Sequence, residues 1–216
     1  MLDQVLRARL GPTLDRAAGP LAARGISPGA LTAVGLLVGI GACVCVATGL
    51  WIPALGLWLL NRLLDGLDGP VARRDQATEL GGLLDFVADF IVYSGFVVGV
   101  AIAHPGARLA CVALLAAYLV NNVALLSFSS VIERRRLPLG DERSLRLLPG
   151  LAEGTETIVV YVLFCLLPGS SAVIAWAFAG VVAVTAGQRV QQAVTTLNAL
   201  ARSSAQTGSA STHRDV

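Results

Sequence analysis

The sequence predicts an all-α integral membrane protein: six transmembrane helices preceded by an N-terminal amphipathic surface helix. Three observations predict it. Of the 216 residues, 55% are hydrophobic and only 14% are charged. The mean hydropathy is +0.72, which is membrane rather than soluble composition. Apolar stretches near the roughly 18 residues that span a bilayer recur along the chain. A single membrane domain, residues 26–200, accounts for them.

The first element, residues 1–25, is juxtamembrane. Leu2, Val5, Leu6, Leu10 and Leu14 recur at helical spacing with Arg7, Arg9 and Arg16 between them. That pattern predicts a helix lying on the membrane surface. It lacks the long apolar core of a cleavable signal peptide. The six spans follow at about 29–50, 51–72, 82–103, 108–132, 155–168 and 171–195. The fifth is short and needs its polar end to complete a crossing. Residues 201–216 are small and polar and read as a disordered tail. Cys43, Cys45, Cys111 and Cys165 fall within spans and form no CxxC pair. They read as packing residues rather than metal ligands or a disulfide framework.

The basic residues orient the chain. All sixteen are arginine. Arg7, Arg9, Arg16 and Arg24 precede span one, and Arg73 and Arg74 separate spans two and three. Arg134, Arg135, Arg136, Arg143 and Arg146 separate spans four and five, and Arg202 and Arg214 follow span six. Arg108 falls on the other side. The positive-inside rule then puts both termini in the cytoplasm, in a multi-pass protein of the cytoplasmic membrane. The acidic residues fall at the same ends, so the chemistry is expected to face the cytoplasm. No nucleic-acid partner is expected.

Spans two and three carry Asp65, Asp68, Asp85 and Asp89 in otherwise apolar sequence. Carboxylates near hydrocarbon are costly and read as functional. Their three- and four-residue spacing puts each pair on one helix face. Counted from the outer ends of the spans, Asp65 and Asp89 lie about 21 Å deep and Asp68 and Asp85 about 26 Å. In hydrocarbon about 30 Å thick, two antiparallel helices would set Asp65 opposite Asp89 and Asp68 opposite Asp85, just inside the cytoplasmic face. Gly66, Gly69, Ala72, Gly81, Gly82 and Ala88 would let those helices approach closely. Four converging carboxylates need about two divalent cations, and hard oxygen ligands favour Mg²⁺ or Mn²⁺. Two such ions suit phosphoryl chemistry. The blander alternative pairs the carboxylates with Arg62, Arg73 and Arg74 at helix ends.

The pattern Asp65-x2-Asp68-Gly69-x2-Ala72-Arg73-x7-Gly81-x3-Asp85-x3-Asp89 resembles the signature of the CDP-alcohol phosphatidyltransferases. The gap from arginine to glycine is one shorter than the family's usual spacing. Ser27-Pro28-Gly29-Ala30-Leu31-Thr32 at the start of span one also resembles the family, with Gly29 where asparagine is common. The resemblance implies transfer of a phosphatidyl or related substituted phosphate from a CDP-linked lipid, such as CDP-diacylglycerol, to an alcohol, with release of CMP. It implies that Asp65, Asp68, Asp85 and Asp89 hold two Mg²⁺ or Mn²⁺ ions. It implies that Asp89 is the general base and that Thr32, Asp65, Asp68, Gly69, Ala72 and Arg73 bind the CDP moiety. It also implies a homodimer in the lipid bilayer. The residues agree on their own terms. Glycine admits a pyrophosphate close to the backbone, an arginine neutralises phosphate oxygens, and a poorly solvated carboxylate can take a hydroxyl proton.

The small-alcohol acceptor is less marked. Arg134 and Arg135, Glu153, and Arg189 near the end of span six together would form a polar pocket. Each also has a structural reading: Arg134 and Arg135 as topology anchors, Glu153 as a helix-start carboxylate, Arg189 as a snorkelling head. Gln188-Arg189 resembles members that act on inositol phosphate, whereas the acidic approach to span five does not. Inositol phosphate, glycerol phosphate and free alcohols stay open. Two other classes compete. An intramembrane Mg²⁺-dependent prenyltransferase also uses Asp-rich motifs, but far apart in the chain. A divalent-cation transporter needs carboxylates near the midplane and a polar exit. Here the outer halves of spans two and three are apolar, with Leu57, Trp58, Leu59, Phe96, Val97 and Val98.

Overall fold

A computed structural model describes residues 2–74, 78–134 and 154–212. Among them every regular element is helical: α1 (Leu2–Ala23), α2 (Pro28–Ala47), α3 (Trp51–Ala72), α4 (Glu79–Ala103), α5 (Arg108–Arg134), α6 (Gly154–Leu166) and α7 (Ser171–Thr212). Each of the six apolar stretches forms a helix, and so does the N-terminal segment. Their starts follow from capping. Ser27 Oγ accepts from Ala30 N–H at 3.2 Å with Pro28 at the first helical position, and Thr78 Oγ1 accepts from Gly81 N–H at 3.0 Å. Gly25 (φ +73°) and Gly49 (φ +77°) take the left-handed conformation that closes the tight links α1–α2 and α2–α3. Pro105 and Pro168 open the short 3₁₀ turns that lead into α5 and α7.

Among the described residues, four segments are long and apolar enough to cross a membrane: Pro28–Ala47, Glu79–Ala103, Pro105–Arg134 and Pro168–Ala199. Large apolar side chains such as Leu37, Ile102, Leu109, Leu119 and Val173 are exposed along them. So much apolar surface is what lipid, not water, covers. Helix α3 falls outside this set because it carries Arg62, Asp65 and Asp68. Helix α6 falls outside because its 13 residues rise only about 20 Å.

Two expectations change. Helix α1 does form, but its apolar residues Leu14, Ala18 and Leu21 pack with Leu31, Leu64, Leu67 and Val71 of α2 and α3. Its apolar side serves tertiary packing where a free surface helix would bury it in lipid. The tail expected to be disordered continues α7 as helix as far as Thr212. Small polar residues do not forbid a helix that a long apolar segment has already nucleated.

Helix α2 packs along both α3 and α4, α5 packs along α7, and α6 bridges α3 and α7. The core is aromatic: Trp58 stands 4.7 Å from Tyr161 and 5.4 Å from Phe96, ring centre to ring centre, and all three are fully buried. The cysteines are free, and Cys111 and Cys165 are buried in this core, as packing residues should be.

The close approach of α2 and α4 depends on glycine. A Cβ on Gly99 would stand 2.8 Å from the Cys43 carbonyl oxygen, and one on Gly39 would run into Val92. Because a carbonyl oxygen in a helix cannot swing aside, Gly99→Ala is expected to destabilise the fold by about 1–3 kcal/mol. Gly56→Ala, where the added methyl group meets nothing within 4 Å, is the control. Unfolding in detergent should show Gly99→Ala clearly less stable and Gly56→Ala unchanged or slightly more stable.

Candidate acidic site between three helices

Helix α3 presents Asn61, Arg62, Asp65 and Asp68 at three- and four-residue spacing, and α4 presents Asp85 and Asp89. The two helices do not pack directly along each other as the sequence predicts. Among the described residues they make little backbone contact, and α2 joins them. The small residues that matter are on α2. Added Cβ atoms would meet Leu64 and Asn61 at Gly35, and Val92 and Asn61 at Gly39. The expected glycines do other work: Gly66 faces Leu14 of α1, and Gly81 lies against its own cap, Thr78.

One carboxylate oxygen each from Asp65, Asp68 and Asp85 lie within 4.8 Å of one another. Thr32 of α2 reaches the same cluster. Its hydroxyl is 3.3 Å from Asp68 Oδ2 and 3.2 Å from the Pro28 carbonyl, so it donates to one or the other. Asp89 lies within hydrogen-bonding reach of Asp65 and is held by Arg62, whose Nη2 donates to Asp89 Oδ1 at 2.8 Å. Arg62 Nη1 lies 3.4 Å from Asp65 Oδ2. Thr32, Asn61 and the four aspartates line one pocket together with Gly35, Ala88 and Val92.

The trio fits a hard divalent cation. Oxygen ligands about 2.0–2.6 Å from an ion are at most about 5 Å apart, as these three are.

The structure brings together Thr32, Asp65, Asp68, Asp85 and Asp89 from the sequence-predicted set. The others lie elsewhere. Gly69 and Ala72 follow on the last turn of α3, outside the pocket lining. Arg73 is exposed and reaches Asp15 of α1 at 3.2 Å. Of the acceptor candidates, Arg134 ends α5 and bonds back to the Ser130 carbonyl at 3.4 Å. Arg189 is buried on α7, where its Nη1 donates to Asn121 Oδ1 at 3.0 Å. Neither lines the acidic pocket. Arg135 and Glu153 lie outside the described residues.

Arg62, Asn61, Tyr93 and Trp58 are the residues the sequence reading undervalued. Arg62 figured there only as a partner in the blander alternative. The available signal was an Asn-Arg pair in an apolar helix, three residues before Asp65 and four after Trp58.

A polar pocket among apolar helices, with three carboxylates spaced for a hard cation, fits the class of metal-handling membrane proteins. The comparisons narrow this class. A family model for CDP-alcohol phosphatidyltransferase matches residues 26–187. The inner membrane protein YnjF of Escherichia coli K12 is 39% identical over 205 residues, 94% of this chain and 100% of that one. Phosphatidylcholine synthase of Borreliella burgdorferi is 35% identical over 68 residues, 29% of each chain. In fold, the chain is similar to Mycobacterium tuberculosis phosphatidylinositol phosphate synthase. With CDP-DAG bound, that structure matches at TM-score 0.65 and 20% identity, over 83% of this chain and 92% of that one. With manganese and citrate, it matches at TM-score 0.66 and 20% identity, over 84% and 89%. The chain belongs to the CDP-alcohol phosphatidyltransferase family. It is therefore a phosphotransferase, and the prenyltransferase and transporter alternatives fall away.

Proposed function

We propose that this enzyme transfers the substituted phosphate of CDP-diacylglycerol, or a related CDP-linked lipid, to the hydroxyl of a small alcohol, releasing CMP. The observation that carries the reading is the trio Asp65, Asp68 and Asp85, gathered within 4.8 Å in the pocket that also holds Thr32 and Asp89. Asp65, Asp68, Asp85 and Asp89 would hold two divalent ions, Mg²⁺ or Mn²⁺. When bound, these ions offset the charge of the pyrophosphate and of the departing CMP. Asp89, on the pocket wall, accepts the proton of the attacking hydroxyl. The new bond joins the acceptor oxygen to the lipid-bearing phosphorus, and the bond from that phosphorus to the bridging oxygen breaks. CMP carries away the bridging oxygen.

Thr32, Gly69 and Ala72 line the CDP moiety together with Asp65 and Asp68. Arg73 turns from Asp15 to the phosphates, an exchange its exposed ion pair resists little. Helices α3 and α6 complete six crossings. Helix α3, at 22 residues, is about 33 Å long, with its charged residues confined to its last three turns. An even number of crossings leaves both termini and the pocket on the arginine-rich cytoplasmic side of the cell membrane. The unit in the bilayer is a homodimer.

The acceptor is a polyol phosphate, inositol phosphate or glycerol phosphate, met by Arg134, Arg135 and Arg189, with Glu153 taking a hydroxyl. Purified enzyme with CDP-diacylglycerol and a panel of inositol phosphate, glycerol phosphate, inositol, serine and choline tests this. CMP should appear with a phosphorylated polyol. Turnover with serine or choline alone would overturn the acceptor assignment and leave the reaction class standing.

A further inference from the structure

We propose that Arg62 is a built-in cation occupying the second charge position of the site, so that metal loading is stepwise. The trio Asp65, Asp68 and Asp85 takes the first divalent ion. A second binds well only when Arg62 gives up Asp89. The proposal rests on the metal reading above and adds a control on it.

Arg62 is not a snorkelling arginine. Its side chain is 7% exposed and faces inward. All five of its N–H donors have acceptors. Nε and Nη2 donate to Asn61 Oδ1 at 2.9 and 2.7 Å, and Nη2 also to Asp89 Oδ1 at 2.8 Å. Nη1 donates to the Tyr93 hydroxyl at 2.6 Å and, more weakly, to Asp65 Oδ2 at 3.4 Å. Asn61 is fixed in turn, its Nδ2 donating to the Gly35 carbonyl at 2.8 Å. The guanidinium carbon lies 4.9 Å from the Trp58 ring centre and 4.8 Å from that of Tyr93. Two aromatic faces and a locked amide thus hold the cation against Asp89 and Asp65, which line the acidic pocket.

The consequence is an unequal site. Three carboxylates face one another and, among the described residues, have no protein cation between them apart from the long Arg62–Asp65 contact. The fourth is already neutralised by a short, charge-assisted hydrogen bond in a partly buried setting. An ion that uses Asp89 must break that bond, whereas an ion in the trio displaces no short one. A charge-assisted hydrogen bond of ordinary strength makes the second step weaker by roughly tenfold or more.

Titrating the full-length protein in detergent with Mn²⁺ alone, and counting bound ions by the paramagnetic resonance of free Mn²⁺, tests this without catalysis. The wild-type protein should bind one ion tightly and a second roughly tenfold or more weakly. Arg62→Met should bring the two steps together. Asp89→Asn should keep the tight step and lose the weak one, a result that does not depend on Arg62→Met folding. Two equal ions in the wild type, or a weak step unmoved by Arg62→Met, would overturn the stepwise control while leaving the metal site standing. No Mn²⁺ bound by the wild type would overturn the metal reading itself and this proposal with it.

Discussion

Asp89→Asn is expected to abolish transfer, removing the base and the weakly held second ion, while the first ion, held by the trio, still supports CDP-lipid binding. Asparagine keeps the shape of the side chain, and Arg62 Nη2 still finds an oxygen acceptor there. It cannot accept a proton. General base catalysis contributes about 10²–10⁴-fold, so turnover should fall by at least that range. Binding of labelled CDP-diacylglycerol to the variant, measured beside CMP release, separates the two functions. Near-normal turnover would show that Asp89 is not the base. Loss of donor binding as well would assign it to holding the substrate.

Asp68→Asn should have an effect of similar size for a different reason. Asp68 is the buried member of the trio and the one that Thr32 touches. Without it two carboxylates remain where three met, and the first ion loses a charged ligand. Metal binding and transfer should both be lost. Stability gives an independent reading. Three like charges in one pocket repel, so the variant should be at least as stable as the wild type in chelator. The wild type should gain about 2.7 kcal/mol at an ion concentration a hundred times its dissociation constant. The variant should gain little. Unfolding in detergent with chelator and then with Mn²⁺ measures this. An equal gain in both proteins would place the ion elsewhere.

Much of the helical layout was legible because lipid imposes a simple rule on sequence. The apolar stretches at 51–72 and 82–103 match Trp51–Ala72 and Glu79–Ala103 closely. The breaks fall at glycine and proline, where the backbone has to turn. The carboxylates were legible for the opposite reason, as charges that lipid penalises. Packing partners were not legible. An apolar stripe says that a helix face is covered, not by what, so α3 and α4 read as neighbours when α2 lies along both. Gly35 and Gly39 gave no sign that they would seat Asn61 and Val92. Arg62 was visible as a charge, but its anchoring needs Tyr93 from α4 and the Gly35 carbonyl from α2, contacts that no local spacing reveals. The same limit applies to Arg189. Its partner Asn121 lies on another helix far away in sequence, so a lone arginine near a helix end read as a snorkelling head or an acceptor ligand.

The central claim is that the acidic pocket uses divalent ions to move a substituted phosphate out of a CDP-lipid. CMP release from CDP-diacylglycerol by the purified wild-type enzyme, with the alcohol panel present, tests it most directly. The account predicts release that stops with chelator and returns with added Mg²⁺ or Mn²⁺. Release that persists unchanged in chelator, or no release with any acceptor at saturating metal, would contradict it.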